Sequence, residues 1–174
     1  PYYKWWTGNV QQARGRIALD TGKYAEAESA LRTSVHDYLE AKQSVDPQGQ
    51  YINYENAMKD LSRTLSADGR PVEAEIEARS ALTSTLTHRS RYAVETAWVL
   101  EALTTAVYAQ GRYREAEQLA RAGIDIYRVV GVIPASLTLA RTRMQLVSAL
   151  VGQQRWQEAL LEFENLRRDL APDP

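Results

Sequence analysis

The sequence contains no cysteine and only two histidines among its 174 residues. The absence of cysteine excludes disulfides, thiolate metal ligands and cysteine nucleophiles. His36 and His88 have no sequence-local metal partner or nucleophile motif, and the Gly-Arg and Gly-Lys pairs do not follow strands as they would in a phosphate-binding loop. We therefore expect no catalytic site, no metal and no cofactor, and we interpret both histidines as ordinary surface residues.

Long hydrophobic runs and a strong net charge are also missing. No apolar stretch approaches the roughly 20 residues of a membrane-spanning helix, and the formal net charge is -1. The first residues, PYYKWWTGNV, lack both an initiator methionine and the basic-then-apolar order of a signal peptide. The composition predicts a globular cytoplasmic chain, excised or processed from a longer polypeptide, with no attraction to membranes.

A short pattern is repeated four times along the chain. Its clearest copy, AQGRYREAEQLARAGI, starts at Ala109, and related copies read TGKYAEAESA, ADGRPVEAEIEARSAL and GQQRWQEALLEF. Residues 22, 69, 111 and 154 hold the same place in the four copies, which gives spacings of 47, 42 and 43 residues. Periods of this length predict a helical array in which each unit is a pair of antiparallel helices.

Apolar residues recur at helical spacing on both sides of each copy, so the sequence predicts eight helices. They fall into four units, at residues 8–46, 50–88, 90–131 and 134–170. The first helix is expected to begin at Asn9, after an aromatic cluster that caps the array, is the remnant of a preceding repeat, or forms an exposed binding patch. Residues 46–49 are expected to form a loop, and the fourth helix is expected to break between Thr83 and Ser90.

Small residues are expected where two helices approach closely. The second helix of each unit carries an alanine five residues after the turn, at Ala27, Ala74, Ala116 and Ala159. The first helices carry a central residue that is small in three of the four units, at Gly15, Ser62, Thr104 and Val147. The paired acids of the pattern fall in the first turns of helices, where carboxylates favour the helix dipole, at Glu26, Glu28, Glu115 and Glu117.

The G-[KR]-Y-x-E-A-E pattern, together with the small residues in both helices, resembles the tetratricopeptide repeat over residues 8–170. The resemblance implies an all-α fold, a right-handed α-α superhelix of four helix-turn-helix units. Because the periods exceed the usual 34 residues of the family, the chain is most similar to long-helix varieties. Examples are kinesin light chain-type repeats and bacterial scaffold repeats, including those attached to caspase-like CHAT peptidases.

The resemblance also implies a binding site. In the family, the first helices of the units line a concave groove that accepts peptide segments. Alignment to the turns places ten residues of this chain in such a groove: Asn9, Gln12, Arg16, Asn56, Lys59, Arg63, Trp98, Glu101, Tyr108 and Arg141. Four of these are basic, so we expect a protein or peptide partner that is acidic or carries a free carboxylate. A solvated charged face without a dedicated ligand is the alternative interpretation.

The function predicted from the sequence is therefore a non-catalytic protein-protein interaction scaffold. One alternative is self-association into a homo-oligomer through the terminal helices, where Phe163, Leu166 and Leu170 are expected to present apolar area. A second alternative is nucleic-acid binding, with Trp98 and Tyr108 stacking on bases. The near-neutral charge of the chain disfavours nucleic acid.

Overall fold

The computed structural model describes residues 2–42 and 47–171, with side-chain surroundings for residues 3–41 and 53–171. Regular secondary structure in these residues is helical throughout. The eight helices are α1 (Tyr2–Asp20), α2 (Tyr24–Lys42), α3 (Pro47–Ala67), α4 (Pro71–His88), α5 (Val94–Ala109), α6 (Tyr113–Val129), α7 (Leu137–Gly152) and α8 (Trp156–Leu170). The predicted all-α class is confirmed. Across the described part of the chain, the helices are too short or too polar to span a bilayer.

The four tight turns of the repeat share one geometry. Gly22, Gly69 and Gly111 take positive φ angles of 73°, 78° and 76°, which is the left-handed region that glycine enters without a steric penalty. Gln154 adopts the same conformation, with φ of 61°, although it carries a side chain. In each turn, the residue after the positive-φ position donates its backbone N–H to the carbonyl of the residue five positions earlier. Lys23, for example, donates to the Ala18 carbonyl at 2.8 Å. This bond closes the preceding helix and reverses the chain.

The first compact unit comprises α1 to α4 and ends at Arg89. Its helices α1 and α2 approach closely at two glycines, because a Cβ atom on Gly15 would lie 2.5 Å from Leu31 Cγ and one on Gly8 would lie 2.8 Å from the Tyr38 ring. Leu31 and Tyr38 are fully buried. Helix α3 packs on α2 and also touches α1, so its buried face completes the core of this unit.

The second unit, from Ser90 onward, comprises α5 to α8. Leu103, Val107 and Tyr127 are fully buried between α5 and α6. A second cluster joins α6, α7 and α8 through Ala120, Leu146, Leu150 and Ala159. The alanines predicted at close approaches are buried in both units, since only a small side chain lets the paired helices come together there.

The helix boundary predicted at the start of α1 is wrong, whereas the one predicted at the end of α4 is confirmed. Helix α1 begins at Tyr2 rather than at Asn9, since Gly8 lies inside the helix and is buried against Tyr38. Packing at this point outweighs the low helix propensity of glycine. Helix α4 ends at His88, inside the predicted break between Thr83 and Ser90. Within its last turns, Thr83, Thr85 and Thr87 each donate a hydroxyl hydrogen bond to the carbonyl four residues back.

The third helix and the last helix also differ from expectation. Helix α3 begins at Pro47, inside the predicted loop, where proline suits a first helical position. Asp46 lies outside the described residues. In α8, Leu166 is buried at 3% exposure rather than presented to a neighbour, because it lies, like Ala159, on the buried face of the helix. Phe163 and Leu170 of the same helix remain exposed.

Glutamates and arginines of the repeated pattern form hydrogen bonds between successive helix pairs. Glu28 of α2 accepts a hydrogen bond at 2.5 Å from Arg70, the residue after the next turn. Glu117 of α6 accepts the equivalent bond at 2.6 Å from Arg155. The second glutamate of the pattern therefore contacts the basic residue of the following copy, a role that first-turn position alone did not predict.

Candidate functional site

All ten residues that the sequence analysis assigned to a binding groove lie on the first helix of a pair, in α1, α3, α5 or α7. The structure places them in two separate arrangements, one in each compact unit. Asn9, Gln12, Arg16, Asn56, Lys59 and Arg63 lie in the first unit. Trp98, Glu101, Tyr108 and Arg141 lie in the second.

In the first unit, four of these residues converge on the carboxylate of Asp60 on α3. Gln12 donates a hydrogen bond to Asp60 Oδ2 at 3.0 Å, and Arg16 Nε lies 3.4 Å from the same oxygen. Lys59 Nζ and Arg63 Nη1 each lie 3.7 Å from Asp60 Oδ1. Asp60 is fully buried, and among the described residues Oδ1 has no hydrogen-bond partner. We name Asp60 with its three cations the Asp60 cluster.

The Asp60 cluster is held in place by neighbouring polar groups. Tyr38 of α2 donates its hydroxyl at 3.1 Å toward both Asn9 Oδ1 and Gln12 Oε1. Burial raises the pKa of Tyr38 to about 12, and the nearby Asp60 charge adds to the rise, so the hydroxyl remains a donor at physiological pH. Lys59 donates to Asn56 Oδ1 at 3.2 Å. Asn9 and Asn56 thus position the surrounding side chains as well as offering polar groups of their own.

The charge of the cluster follows from its members. Three cations surround one carboxylate, and two of the cations, Arg16 and Arg63, have about half of their side chains exposed. Lys59 is mostly covered. The cluster therefore presents a net positive face although the whole chain is slightly acidic, and it is suited to a carboxylate or another anion.

The sequence analysis did not select Asp60, although a signal was present. Asp60 lies three residues after Ala57 and four before Thr64, and all three of these residues are buried on one face of α3. An acid within such a face requires a partner. The partner could not be identified without knowing that Gln12 and Arg16 of α1 lie alongside.

In the second unit, Glu101 holds helices together. Its carboxylate accepts hydrogen bonds from the Tyr127 hydroxyl at 2.6 Å and from the Thr142 hydroxyl at 2.9 Å, and Arg141 lies 3.8 Å away. Burial and the Glu101 bond both raise the pKa of Tyr127 above its ordinary value. Glu101 is therefore occupied by contacts from α6 and α7, whereas most of the Arg141 side chain is exposed.

Two apolar cavities border Arg141 in this unit. A cavity of about 230 Å³ lies between α5 and α7, with Tyr108, Met144 and Gln145 in its wall. A larger one of about 650 Å³ lies between α7 and α8, with Met144 and Phe163 in its wall. Tyr108 also contacts the Tyr113 ring at 5.3 Å between centroids. Trp98, near the N-terminal end of α5, is half-buried. The second unit thus offers apolar surface beside one exposed cation.

Among the residues that the structure describes, one group has ligand atoms close enough together to hold a metal ion. His36, Asp37 and Glu40 place one such atom each within 4.8 Å of the others, a grouping on one turn of α2 that the sequence analysis overlooked. Lys4 Nζ lies 3.0 Å from both carboxylates. The Lys4 ammonium therefore occupies the position that a cation would take, and His36 is exposed as predicted.

Comparison with known proteins identifies the repeat type. The family model for the tetratricopeptide repeat matches residues 96–130. No curated protein sequence matches the chain. Solved structures that share its fold include RapI in its apo form, with a TM-score of 0.79 over 95% of this chain at 11% identity. They also include BtubC from P. vanneervenii, with a TM-score of 0.77 over 96% of this chain at 14% identity. The chain spans 56% of the RapI chain and 66% of the BtubC chain.

Kinesin light chain TPR-like repeats from Podosopora anserina also align, with a TM-score of 0.57 at 15% identity, covering 92% of this chain and 93% of that one. At these identities the likeness concerns the fold alone. The family match over residues 96–130 and these structures together support a tetratricopeptide-type repeat fold. Repeat proteins of this kind commonly serve as protein-interaction scaffolds.

Proposed function

We propose that the chain is a non-catalytic protein-binding scaffold and that the Asp60 cluster binds an acidic or carboxylate-bearing peptide segment of its partner. The observation that carries this proposal is the placement of Arg16, Lys59 and Arg63 around one fully buried carboxylate. Three cations against one anion leave a local excess of positive charge on a surface of first helices.

The framework of the cluster favours binding because its groups are ordered before a ligand arrives. Gln12 is bonded to both Asp60 and Tyr38, and Lys59 is bonded to Asn56. Ordering long side chains on binding costs about 0.5–1.5 kcal/mol each. Side chains already held by neighbours lose less, so more of the electrostatic attraction is available as affinity.

The charges of the cluster also indicate the chemistry of the ligand. A guanidinium can bind a carboxylate through two parallel hydrogen bonds, and Arg16 and Arg63 have exposed ends that could do so. The neighbouring Lys59 ammonium adds a second requirement, a negative charge on the ligand. A peptide that ends in a free carboxylate meets both requirements.

The test uses defined peptides of mixed sequence with acidic C-terminal residues, prepared with a free carboxylate and as the amide. Binding is followed by fluorescence anisotropy. We expect the free-carboxylate peptides to bind more tightly and the Lys59→Glu, Arg63→Glu double variant to lose at least about tenfold in affinity, or ~1.4 kcal/mol. Circular dichroism should show unchanged helix content.

A matched control replaces two exposed basic residues of α6, in Arg114→Glu with Arg128→Glu, which changes the net charge equally. It should leave the affinity within about twofold, since neither arginine belongs to the Asp60 cluster. If the control weakens binding as much as the cluster variant, general charge rather than the Asp60 cluster attracts the peptide. If neither changes binding, the site lies elsewhere.

A further inference from the structure

An apolar groove lies between α7 and α8, on a side of this helix pair that no other helix of the described chain covers. Its cavity has a volume of about 650 Å³. Large apolar side chains of both helices form its walls, among them Met144, Phe163 and Leu170, and these remain between 39% and 42% exposed. We call it the α7–α8 groove. Exposed apolar area gathered in one place indicates an interaction surface.

The position ten residues before the turn is different in the copy that forms this groove. The other three copies carry a polar residue there, at Gln12, Lys59 and Glu101. Gln12 and Glu101 each form a hydrogen bond with a residue of the following first helix. The fourth copy carries Met144, whose side chain offers no strong donor or acceptor. The groove therefore lacks a polar contact of the kind that joins first helices elsewhere in the chain.

The fourth copy also differs six and twelve residues after the turn, where it carries Leu160 and Leu166. At the first of these positions the other copies carry a glutamate: Glu28, Glu75 and Glu117. At the second they carry a small residue: Ser34, Ala81 and Gly123. Gly123 shows why size matters, since a Cβ atom on it would lie 3.1 Å from Thr142 Cγ2 of α7. The α7–α8 groove thus does not fit another helix pair seated as α7 is on α6.

The walls of the groove favour a helix of another kind as the occupant. Along the middle of α7 and α8 the backbone groups are bonded within those helices, and most wall side chains are apolar. An extended segment would leave its own backbone groups without partners, which is costly, whereas a helix satisfies them internally. From Leu137 to Met144 the groove covers two helical turns, about 10 Å. This length suits the apolar face of a helix bound in a groove.

Both charged residues that line the groove are cations. Arg141 on α7 and Arg167 on α8 have 67% and 73% of their side chains exposed. Their neighbouring carboxylates lie outside the groove lining. Glu101 is 3.8 Å from Arg141 and already accepts two hydroxyl hydrogen bonds, and Glu164 pairs with Arg167 at 2.8 Å on the surface, where water screens the attraction. Both cations are therefore accessible to an acidic ligand.

Other charges of α8 do not cancel these cations. Glu162 and Asp169 both pair with Arg143, on the opposite side of α7 from the groove. Arg168 adds a further cation beside Glu164. Two copies of the groove facing each other would bring like charges together, which is unfavourable. Charge therefore favours an acidic partner over a second copy of the chain.

We propose that the α7–α8 groove binds an amphipathic helix of a partner protein, with large apolar residues on one face and acidic residues beside them. The apolar residues enter the cavity, and the acidic residues pair with Arg141 and Arg167. A small molecule would require burial of most of its surface, which the open walls do not provide. The groove uses residues other than those of the Asp60 cluster and takes a different class of ligand, so the two proposals stand or fall separately.

The test uses three labelled peptides of about 18 residues, long enough to form a helix. The first has leucine at positions i, i+3, i+4 and i+7 and glutamate at the positions beside them. The second replaces each glutamate with lysine. The third is the first peptide with a proline at its centre, which breaks the helix. Fluorescence anisotropy with the whole chain should show the first peptide binding at least about tenfold more tightly than either of the others.

Variants of the chain locate the site. Arg141→Glu combined with Arg167→Glu should weaken binding of the glutamate peptide at least about tenfold and make the lysine peptide the tighter ligand. Phe163→Ala should also weaken binding of the glutamate peptide, because the ring forms part of the wall. All three side chains are exposed, so circular dichroism should show unchanged helix content.

Matched controls lie off the groove. Arg114→Glu with Arg128→Glu on α6 makes the same change of charge, and Leu161→Ala replaces an apolar side chain of α8 that is 64% exposed outside the groove lining. Both should bind the glutamate peptide as the parent does, and so should Lys59→Glu with Arg63→Glu in the Asp60 cluster. Loss of binding in any of these three variants overturns the proposal.

Three other results also overturn it. One is the absence of peptide binding up to about 1 mM, a concentration at which weak complexes form. Another is equal binding of the proline peptide, which would show that the ligand is extended. The third is self-association of the chain in sedimentation velocity that Phe163→Ala abolishes, because a second copy would then occupy the groove.

Discussion

The contact between Glu117 and Arg155 offers a quantitative test of how successive helix pairs are held together. Arg155 donates to Glu117 at 2.6 Å, and Glu117 also accepts hydrogen bonds from Arg121 and Gln153, each at 2.8 Å. The perturbation is a double-mutant cycle of Glu117→Gln, Arg155→Gln and both together. Each replacement keeps a polar side chain of similar length and removes a charge.

The size of the coupling follows from burial. A hydrogen bond to a charged group contributes about 1.5–3 kcal/mol, but the Arg155 side chain is about one-third exposed and its interactions are screened by water. We therefore expect a coupling free energy of about 1 kcal/mol. Glu117→Gln alone should cost about 2 kcal/mol, more than Arg155→Gln, because Arg121 and Gln153 lose their charged acceptor too.

The pH dependence of the same variant has a definite sign. Burial alone would raise the pKa of Glu117. The hydrogen bonds from Gln153 and Arg121, together with the positive charges of Arg155 and Arg121, have a larger effect and lower the pKa below its ordinary value. Stability from this group is then complete above the ordinary glutamate pKa and lost as the pH falls through the lowered one. The difference in stability between the parent chain and Glu117→Gln should therefore narrow as the pH falls below the ordinary glutamate pKa.

Urea unfolding followed by circular dichroism measures these quantities. The control cycle uses Arg128 and Asp125, a 2.9 Å pair on the surface of α6 with both side chains mostly exposed, where the coupling should not exceed about 0.5 kcal/mol. Equal coupling in the two cycles would refute a special role for the contact between repeats. A stability gap that does not change with pH would refute the ionised state assigned to Glu117.

Three further predictions concern single residues, each measured by urea unfolding. Gln154→Gly should stabilise the chain by about 0.5–1 kcal/mol, because glycine adopts the positive φ of this turn without strain; no gain would contradict that. Gly15→Ala should destabilise by about 1 kcal/mol, since the clash with Leu31 exceeds the helix-propensity gain; a more stable variant would contradict it. Tyr127→Phe should cost about 1.5–3 kcal/mol by removing the hydrogen bond to Glu101, and a neutral result would show that the bond contributes nothing.

Local features of this fold could be predicted because they depend on neighbouring residues. The turns at Gly22, Gly69 and Gly111 are signalled by glycine followed by the repeated pattern, and alanine marks each close approach of paired helices. Where local preference and packing disagree, the prediction is wrong. Gly8 is an example, since its low helix propensity indicated a boundary while the Tyr38 ring against it keeps it inside α1.

The candidate site was only partly predictable for the same reason. Alignment to the turns identified Arg16, Lys59 and Arg63, because the position of a residue on a first helix follows from its distance to the turn. It could not identify Asp60, whose role depends on α1 lying beside α3. Nor could it show that Glu101 is occupied by Tyr127 and Thr142 from two other helices.

The sequence by itself therefore determined the all-α class, the repeat and its turns, since these arise from periodic apolar residues and from backbone conformations that few residues adopt. The tertiary structure decided which side chains are engaged and which are available. It buried Asp60 among three cations and left apolar side chains of α1, such as Trp6 and Ile17, exposed. Burial and pairing depend on helices far apart in the chain, and no local pattern encodes the distance between them.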